Sequence, residues 1–115
     1  MNKFRVLLGL LLLCSCAKTQ VGKIQEQKEK CLVKNEGAAC YYVGALNVQA
    51  MSEAMSVEQA SKFKRTAGEW LRLGCEYKHA ESCFEYANFI AFESPKKADF
   101  YMKKACKIEK MIHCR

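Results

Sequence analysis

The stretch Leu71-Arg72-Leu73-Gly74-Cys75-Glu76-Tyr77-Lys78-His79-Ala80-Glu81-Ser82-Cys83-Phe84-Glu85-Tyr86-Ala87 decides the fold. Its two cysteines stand eight positions apart, each inside a run of helix-forming residues. The same arrangement returns at Cys106 and Cys114, eight apart, and at Cys31 and Cys40, nine apart. A cysteine late in one helix can meet a cysteine early in the next across a tight helix–turn–helix, and in an oxidising compartment that geometry closes a disulfide. Six cysteines allow 15 connectivities; local spacing favours 31–40, 75–83 and 106–114. Each bond would close a loop of about nine residues, worth roughly 2–3 kcal/mol in the chain-entropy model. Stacked hairpins in a chain of 115 residues bury only a thin core, so such staples matter. Zinc would call for closer pairs such as C-x-x-C, which the chain lacks. No metal and no cofactor are expected.

Working outward, Ser56-Val57-Glu58-Gln59 reads as a capping box. It opens a long helix in which Val57, Ala60, Phe63, Ala67, Trp70, Leu71 and Gly74 recur at three- and four-residue steps. The next helix is expected over 80–92, with Phe84, Tyr86, Ala87, Phe89 and Ile90 on its apolar face. Ser94-Pro95 marks a further start, serine capping and proline at the first helical position. Ala98, Tyr101, Met102 and Ala105 then give the stripe of a last helix whose mate is cut short at Arg115. On the other side, Asn35-Glu36-Gly37 is a turn in which Gly37 suits a positive φ. The helix after it, about 38–50, shows Cys40, Val43, Ala45, Leu46 and Val48. Residues 24–30, rich in Glu, Gln and Lys, read as a polar capping helix.

Superposed on their cysteines, the hairpins repeat. Five positions before the first cysteine of a pair stand Trp70 and Tyr101; one before it stand Gly74 and Ala105. One after the second cysteine stand Tyr41 and Phe84; four after it, Gly44 and Ala87. Aromatic on aromatic and small on small is what close-packed hairpins need, so Trp70 reads as repeat core and not as a ligand platform. The expected fold is all-α: a short α-solenoid of about two and a half disulfide-stapled hairpins over residues 24–115.

The beginning of the chain sets an address. Met1-Asn2-Lys3-Phe4-Arg5 is basic and Val6 to Leu13 is aliphatic, too short for a membrane helix of about 20 residues but suited to a secretory leader. Leu13-Cys14-Ser15-Cys16 resembles a bacterial lipobox. Residues 1–15 are expected to be a signal peptide, Cys16 the lipid-modified first mature residue, and 16–23 a tether. The expected location is the cell envelope, facing the periplasm, with Ala17 after the cysteine pointing to the outer membrane. The net charge of +7 falls to +5 once Lys3 and Arg5 leave with the leader. The lysines are scattered, as on solvated helix faces, and nucleic acid is no partner for an exported chain.

The pattern Ala67-x-x-Trp70-Leu71-x-x-Gly74-Cys75-x7-Cys83-Phe84-x-x-Ala87 resembles the Sel-one-like repeat, a relative of the tetratricopeptide repeat. The staples are similar to those of the Helicobacter cysteine-rich proteins. Successive pairs are spaced 44 and 31 residues apart, against roughly 34–40 for helical-hairpin repeats. The resemblance implies an adaptor that holds a partner in a groove. The cysteine-rich branch also implies the alternative of penicillin binding or β-lactamase activity. A third reading, from address and repeat type, is an immunity protein against a toxin delivered to the periplasm.

Penicillin-recognising enzymes place a lysine one helical turn after a serine nucleophile, S-x-x-K. The mature chain holds Ser61-x-x-Lys64 and Ser94-x-x-Lys97 among five serines, and about one such match arises by chance. Neither is joined by S-D-N or K-T-G, so no catalytic residue is assigned. His79 and His113 fall inside the second and third cysteine loops and read as exposed turn residues. The expected function is non-catalytic binding of a protein or peptide by a monomer whose only membrane contact is its lipid. The candidate rim is Tyr41, Tyr42 and Tyr77, and the lysines around it favour an acidic partner.

Overall fold

The computed structural model describes residues 22–110 and Cys114. The expected signal peptide, Cys16 and His113 lie outside the described residues. The protein is all-α: among the described residues there are five helices and no strand. These are α1 (residues 22–32), α2 (Gly37–Ser52), α3 (Val57–Glu76), α4 (Ala80–Ile90) and α5 (Pro95–Ile108). Helix is already present at residue 22, two positions before the expected start. The three predicted disulfides are formed: Cys31–Cys40, Cys75–Cys83 and Cys106–Cys114, with Cα atoms 4.8, 4.5 and 5.6 Å apart.

Local chemistry sets where the helices start and stop. At the start of α3 the Ser56 side chain accepts a hydrogen bond from the Gln59 amide at 3.1 Å. The Gln59 side chain reaches back to the Met55 amide at 3.4 Å, one residue upstream of the Ser56 amide that a capping box would use. Pro95 opens α5, but Ser94 before it makes no side-chain capping bond; proline's missing N–H leaves one orphan donor fewer for a cap to satisfy. At the end of α3 the His79 amide bonds to the Gly74 carbonyl at 2.9 Å and the Lys78 amide to the Cys75 carbonyl at 3.0 Å. This is a Schellman stop in which Lys78 takes the left-handed position, φ 64°.

The first turn corrects the sequence reading. Asn35 adopts the positive φ, 54°, and no described glycine does. Gly37 is instead the first residue of α2, and it is glycine because of what lies against it. A Cβ there would stand 2.7 Å from the Cβ of His79, 3.0 Å from the Gly74 carbonyl and 3.1 Å from the Tyr77 carbonyl. Gly74 faces the same contact, since its Cβ would run into the side chain of Ser82 and lie 3.1 Å from the Gly37 carbonyl. The start of α2 and the end of α3 therefore touch backbone to backbone. A third close approach, Gly44 against Leu71, holds the middles of α2 and α3 together.

The core is built on the staples. Cys31, Cys40, Cys75 and Cys83 are all completely buried. Trp70, Leu73 and Tyr77 pack over Cys31, Ala39 and Cys40; Phe84 and Tyr101 pack over Cys75, Cys83 and Ala105. The aromatic residue five before each pair's first cysteine thus lies on the preceding disulfide, which makes Trp70 and Tyr101 equivalent in space as well as in sequence. An edge-to-face contact of Tyr86 with Tyr101, 4.7 Å between centroids, adds to the second junction. Beyond it Phe100 on α5 is exposed, and no described helix follows to cover it.

Candidate functional site

A cleft of about 440 Å³ lies between α3 and α4. Helix α3 contributes Ser61, Lys64, Arg65, Gly68, Glu69 and Arg72, which recur at three- and four-residue steps and so form one face. Tyr86, Phe89 and Ile90 of α4 line the other side, and Glu93 closes one end. Gly68 opens this space. A Cβ at that position would meet the Phe89 ring at 3.7 Å and Tyr86 at 4.0 Å, so the two aromatics lie directly on the α3 backbone. A glycine twelve residues into a helix costs about 1 kcal/mol relative to alanine, and here the missing side chain leaves the floor of the cleft open.

The rim is charged and mixed. Lys64 is paired with Glu93 at 3.2 Å, and Arg72 with Glu76 at 2.7 Å. Arg65 makes no ion pair with any described residue and is exposed. Burial raises the Tyr86 hydroxyl above its ordinary pKa, and Tyr101 adds to this while Arg72 opposes it. The site is therefore an apolar floor with a neutral phenol at its base and, on its edge, two charges of opposite sign, Arg65 and Glu69, unpaired among the described residues.

The three tyrosines expected to form a partner-binding rim have different surroundings. Tyr41 lines a smaller groove of about 170 Å³ with Ala45, Val48, Leu71 and Glu85. Its hydroxyl is pushed above the ordinary value by burial first and then by Glu81 and Glu85. Acidic neighbours make that groove a poor seat for an acidic partner. Tyr42 is exposed on α2, and Tyr77 is half-buried against the first disulfide.

Of the two S-x-x-K matches, Ser61 and Lys64 share the rim of the large cleft, where the ammonium is held by Glu93. Ser94 and Lys97 sit at the start of α5. A different serine stands beside a histidine: the Ser82 hydroxyl lies 2.9 Å from Nδ1 of His79. Ser82 is completely buried, and the same Nδ1 accepts from the Ser82 amide at 3.2 Å as the N-cap of α4. The pair is a helix cap with no route for a substrate. His79 is accordingly half-buried and stacked on Tyr41 at 5.1 Å between centroids, not the exposed turn residue its position suggested. The described residues contain no cluster of His, Cys, Asp and Glu able to hold a metal, and no described helix is long and apolar enough to cross a membrane.

Burial lowers the pKa of His79 below 6.5, with Glu81 and Glu109 pulling the other way. A lowered native pKa means that the unfolded chain binds more protons in the interval between the two values. Stability from this site is complete above the unfolded pKa of about 6.5 and declines as the pH falls from there towards the native value. Protonation also removes the lone pair that caps α4. Urea midpoints measured by circular dichroism are expected to fall between about pH 7 and pH 5. His79→Asn, which keeps a capping oxygen without titrating, is expected to flatten that interval; an equal slope in the variant would assign the effect to other groups.

Fold and site together define a disulfide-stapled helical-hairpin protein with an apolar-floored cleft of mixed charge between α3 and α4. No protein-family model, no curated protein and no solved structure matches the chain.

Proposed function

We propose that this chain is a non-catalytic protein-binding module of the bacterial envelope, built from Sel-one-like repeats and anchored by a lipid on Cys16. The observation that carries the reading is the cleft between α3 and α4, with Gly68, Tyr86 and Phe89 as its floor and Arg65 free on its rim. An apolar side chain of a partner peptide fits over Gly68, and an acidic neighbour of that side chain fits Arg65. Such a pairing gives orientation and rate of encounter as well as affinity. Adaptor and immunity roles both use a surface of this kind, and the partner distinguishes them.

The reading predicts that purified, disulfide-intact protein captures a stoichiometric acidic partner from envelope extract. Arg65→Glu is expected to weaken the complex by about tenfold or more, a loss of at least about 1.4 kcal/mol, with the thermal midpoint of the free protein unchanged. Capture that is indifferent to Arg65→Glu would move the site elsewhere. β-Lactam hydrolysis that disappears in Ser61→Ala would replace the reading with the enzymatic alternative.

A further inference from the structure

Every described helix runs between the disulfide edge and the edge opposite it. α1 ends at the first staple, so residue 22 lies on the opposite edge. The 53–56 turn between α2 and α3 and the 91–94 turn between α4 and α5 lie there too. This edge carries the three most exposed large apolar side chains described: Phe92 at 99%, Met55 at 97% and Val57 at 84%.

The two turns stand at different heights. Cys40 and Cys75 are 35 positions apart, Cys83 and Cys106 only 23. The surplus, shared between two helices, carries the α2–α3 turn roughly 9 Å further out at 1.5 Å per residue. The Lys64–Glu93 ion pair agrees, since it sets the α4–α5 turn level with a residue about two turns inside α3. Met55 and Val57 therefore stand on a protruding tip, and Phe92 on a shoulder behind it. Lys23, Lys62, Lys96 and Lys97 are exposed around them. On the acidic side are Glu53 and Glu58, Glu93 being paired with Lys64.

We propose that this edge rests on an anionic lipid surface, with Met55 and Val57 dipping among the headgroups and Phe92 at their outer level. Isolated apolar tips set off by a step do not form the continuous surface that a protein partner would cover. They do match an interfacial layer about 5–10 Å deep, in which apolar tips enter and lysines remain at the phosphates. The inference rests on the lipoprotein reading for its geometry. Six residue steps separate Cys16 from residue 22, a reach of at most about 20 Å, so a lipid at Cys16 holds this edge, and not the disulfide edge, against the bilayer. The cleft between α3 and α4 then opens sideways, clear of the membrane.

The test compares Met55→Trp with Val33→Trp in the full chain, purified from bacterial membranes and reconstituted with excess lipid containing anionic phosphatidylglycerol. Val33 is also exposed but sits beside the first disulfide on the far edge, so both variants add the same side chain to the same protein. Lipids brominated near the headgroup end of the acyl chain are expected to quench the Met55→Trp signal roughly twofold more than the Val33→Trp signal, with Trp70 as the common background. Equal quenching of the two variants, or the reverse order, overturns the proposal. The intact mass of the same samples reads the lipid on Cys16 independently. An unmodified Cys16 removes the lipoprotein reading while leaving the quenching difference to decide the edge.

Discussion

Replacing Cys75 and Cys83 together by alanine is expected to cost about 3–5 kcal/mol and to leave the chain largely unfolded at 37 °C. The closed loop alone accounts for roughly 2–3 kcal/mol of this in the chain-entropy model. The remainder comes from position. Both sulfurs are completely buried, and Phe84, Tyr101 and Ala105 are packed over them, so the variant loses contacts on which the junction between the second and third hairpins is built. A total stability of about 5–15 kcal/mol is usual for a domain, and a thin helical stack sits at the low end. Cys106→Ala with Cys114→Ala is the internal comparison. Those residues are only half-buried, and their bond ties α5 to the chain beyond it and not to another helix, so the expected loss is below half as large. Non-reducing urea denaturation followed by far-ultraviolet circular dichroism ranks the two pairs. Equal losses would mean that loop closure alone matters and that burial of the sulfurs adds nothing.

The fold was legible because its signals are local. Cysteines eight or nine apart fix each hairpin, Ser56 and Pro95 mark helix starts, and Trp70 and Tyr101 declare the repeat by standing at one offset from their cysteines. The unequal spacing of the pairs was visible only as a departure from the repeat norm; the fold meets it with longer α2 and α3 around an ordinary turn. What failed was any property that depends on two distant segments meeting. Gly37 read as a turn glycine because nothing near it in sequence reveals Gly74 and His79 across the contact. The left-handed position went to Asn35, a residue that tolerates it almost as well. His79 read as exposed because its capping bond to Ser82 and its stacking on Tyr41 follow from the turn that Lys78 makes.

The candidate site illustrates the same divide. Tyr41, Tyr42 and Tyr77 lie close to staples in sequence, which drew attention to them, but Tyr41 lines the smaller groove, Tyr42 is exposed and Tyr77 packs against the first disulfide. The cleft that does form is made of polar and charged α3 residues whose periodicity was hidden beneath the stronger apolar stripe of the same helix. Only Gly68 gave a hint, and reading it required knowing that Phe89 would lie against it.

Two glycines of that one helix are expected to answer an added methyl group with opposite signs. Both gain helix propensity on changing to alanine, up to about 1 kcal/mol in a helix interior. At Gly68 the new Cβ meets only ring carbons at 3.7 Å or more, an ordinary contact, so Gly68→Ala is expected to raise stability by up to about 1 kcal/mol while narrowing the cleft. At Gly74 the new Cβ would fall within 2.8 Å of the Ser82 Cβ and 3.1 Å of the Gly37 carbonyl. Neither neighbour is the loose end of a long side chain. Ser82 is completely buried and bonded to the cap of its own helix, and the carbonyl belongs to the first turn of α2. Relief therefore means separating α2 from the α3–α4 turn. Overpacking of this kind costs about 1–3 kcal/mol, and here it also loosens the His79 cap, so the expected net effect of Gly74→Ala is a loss of about 2 kcal/mol. Ser82→Ala in the same chain removes the hydroxyl but leaves its Cβ and the carbonyl in place, and is expected to restore only part of the loss. Thermal denaturation of the three variants decides between a backbone contact and a side-chain clash. Full rescue by Ser82→Ala would assign the strain to the hydroxyl alone, and a Gly74→Ala protein as stable as Gly68→Ala would show that the two helix ends have room to part.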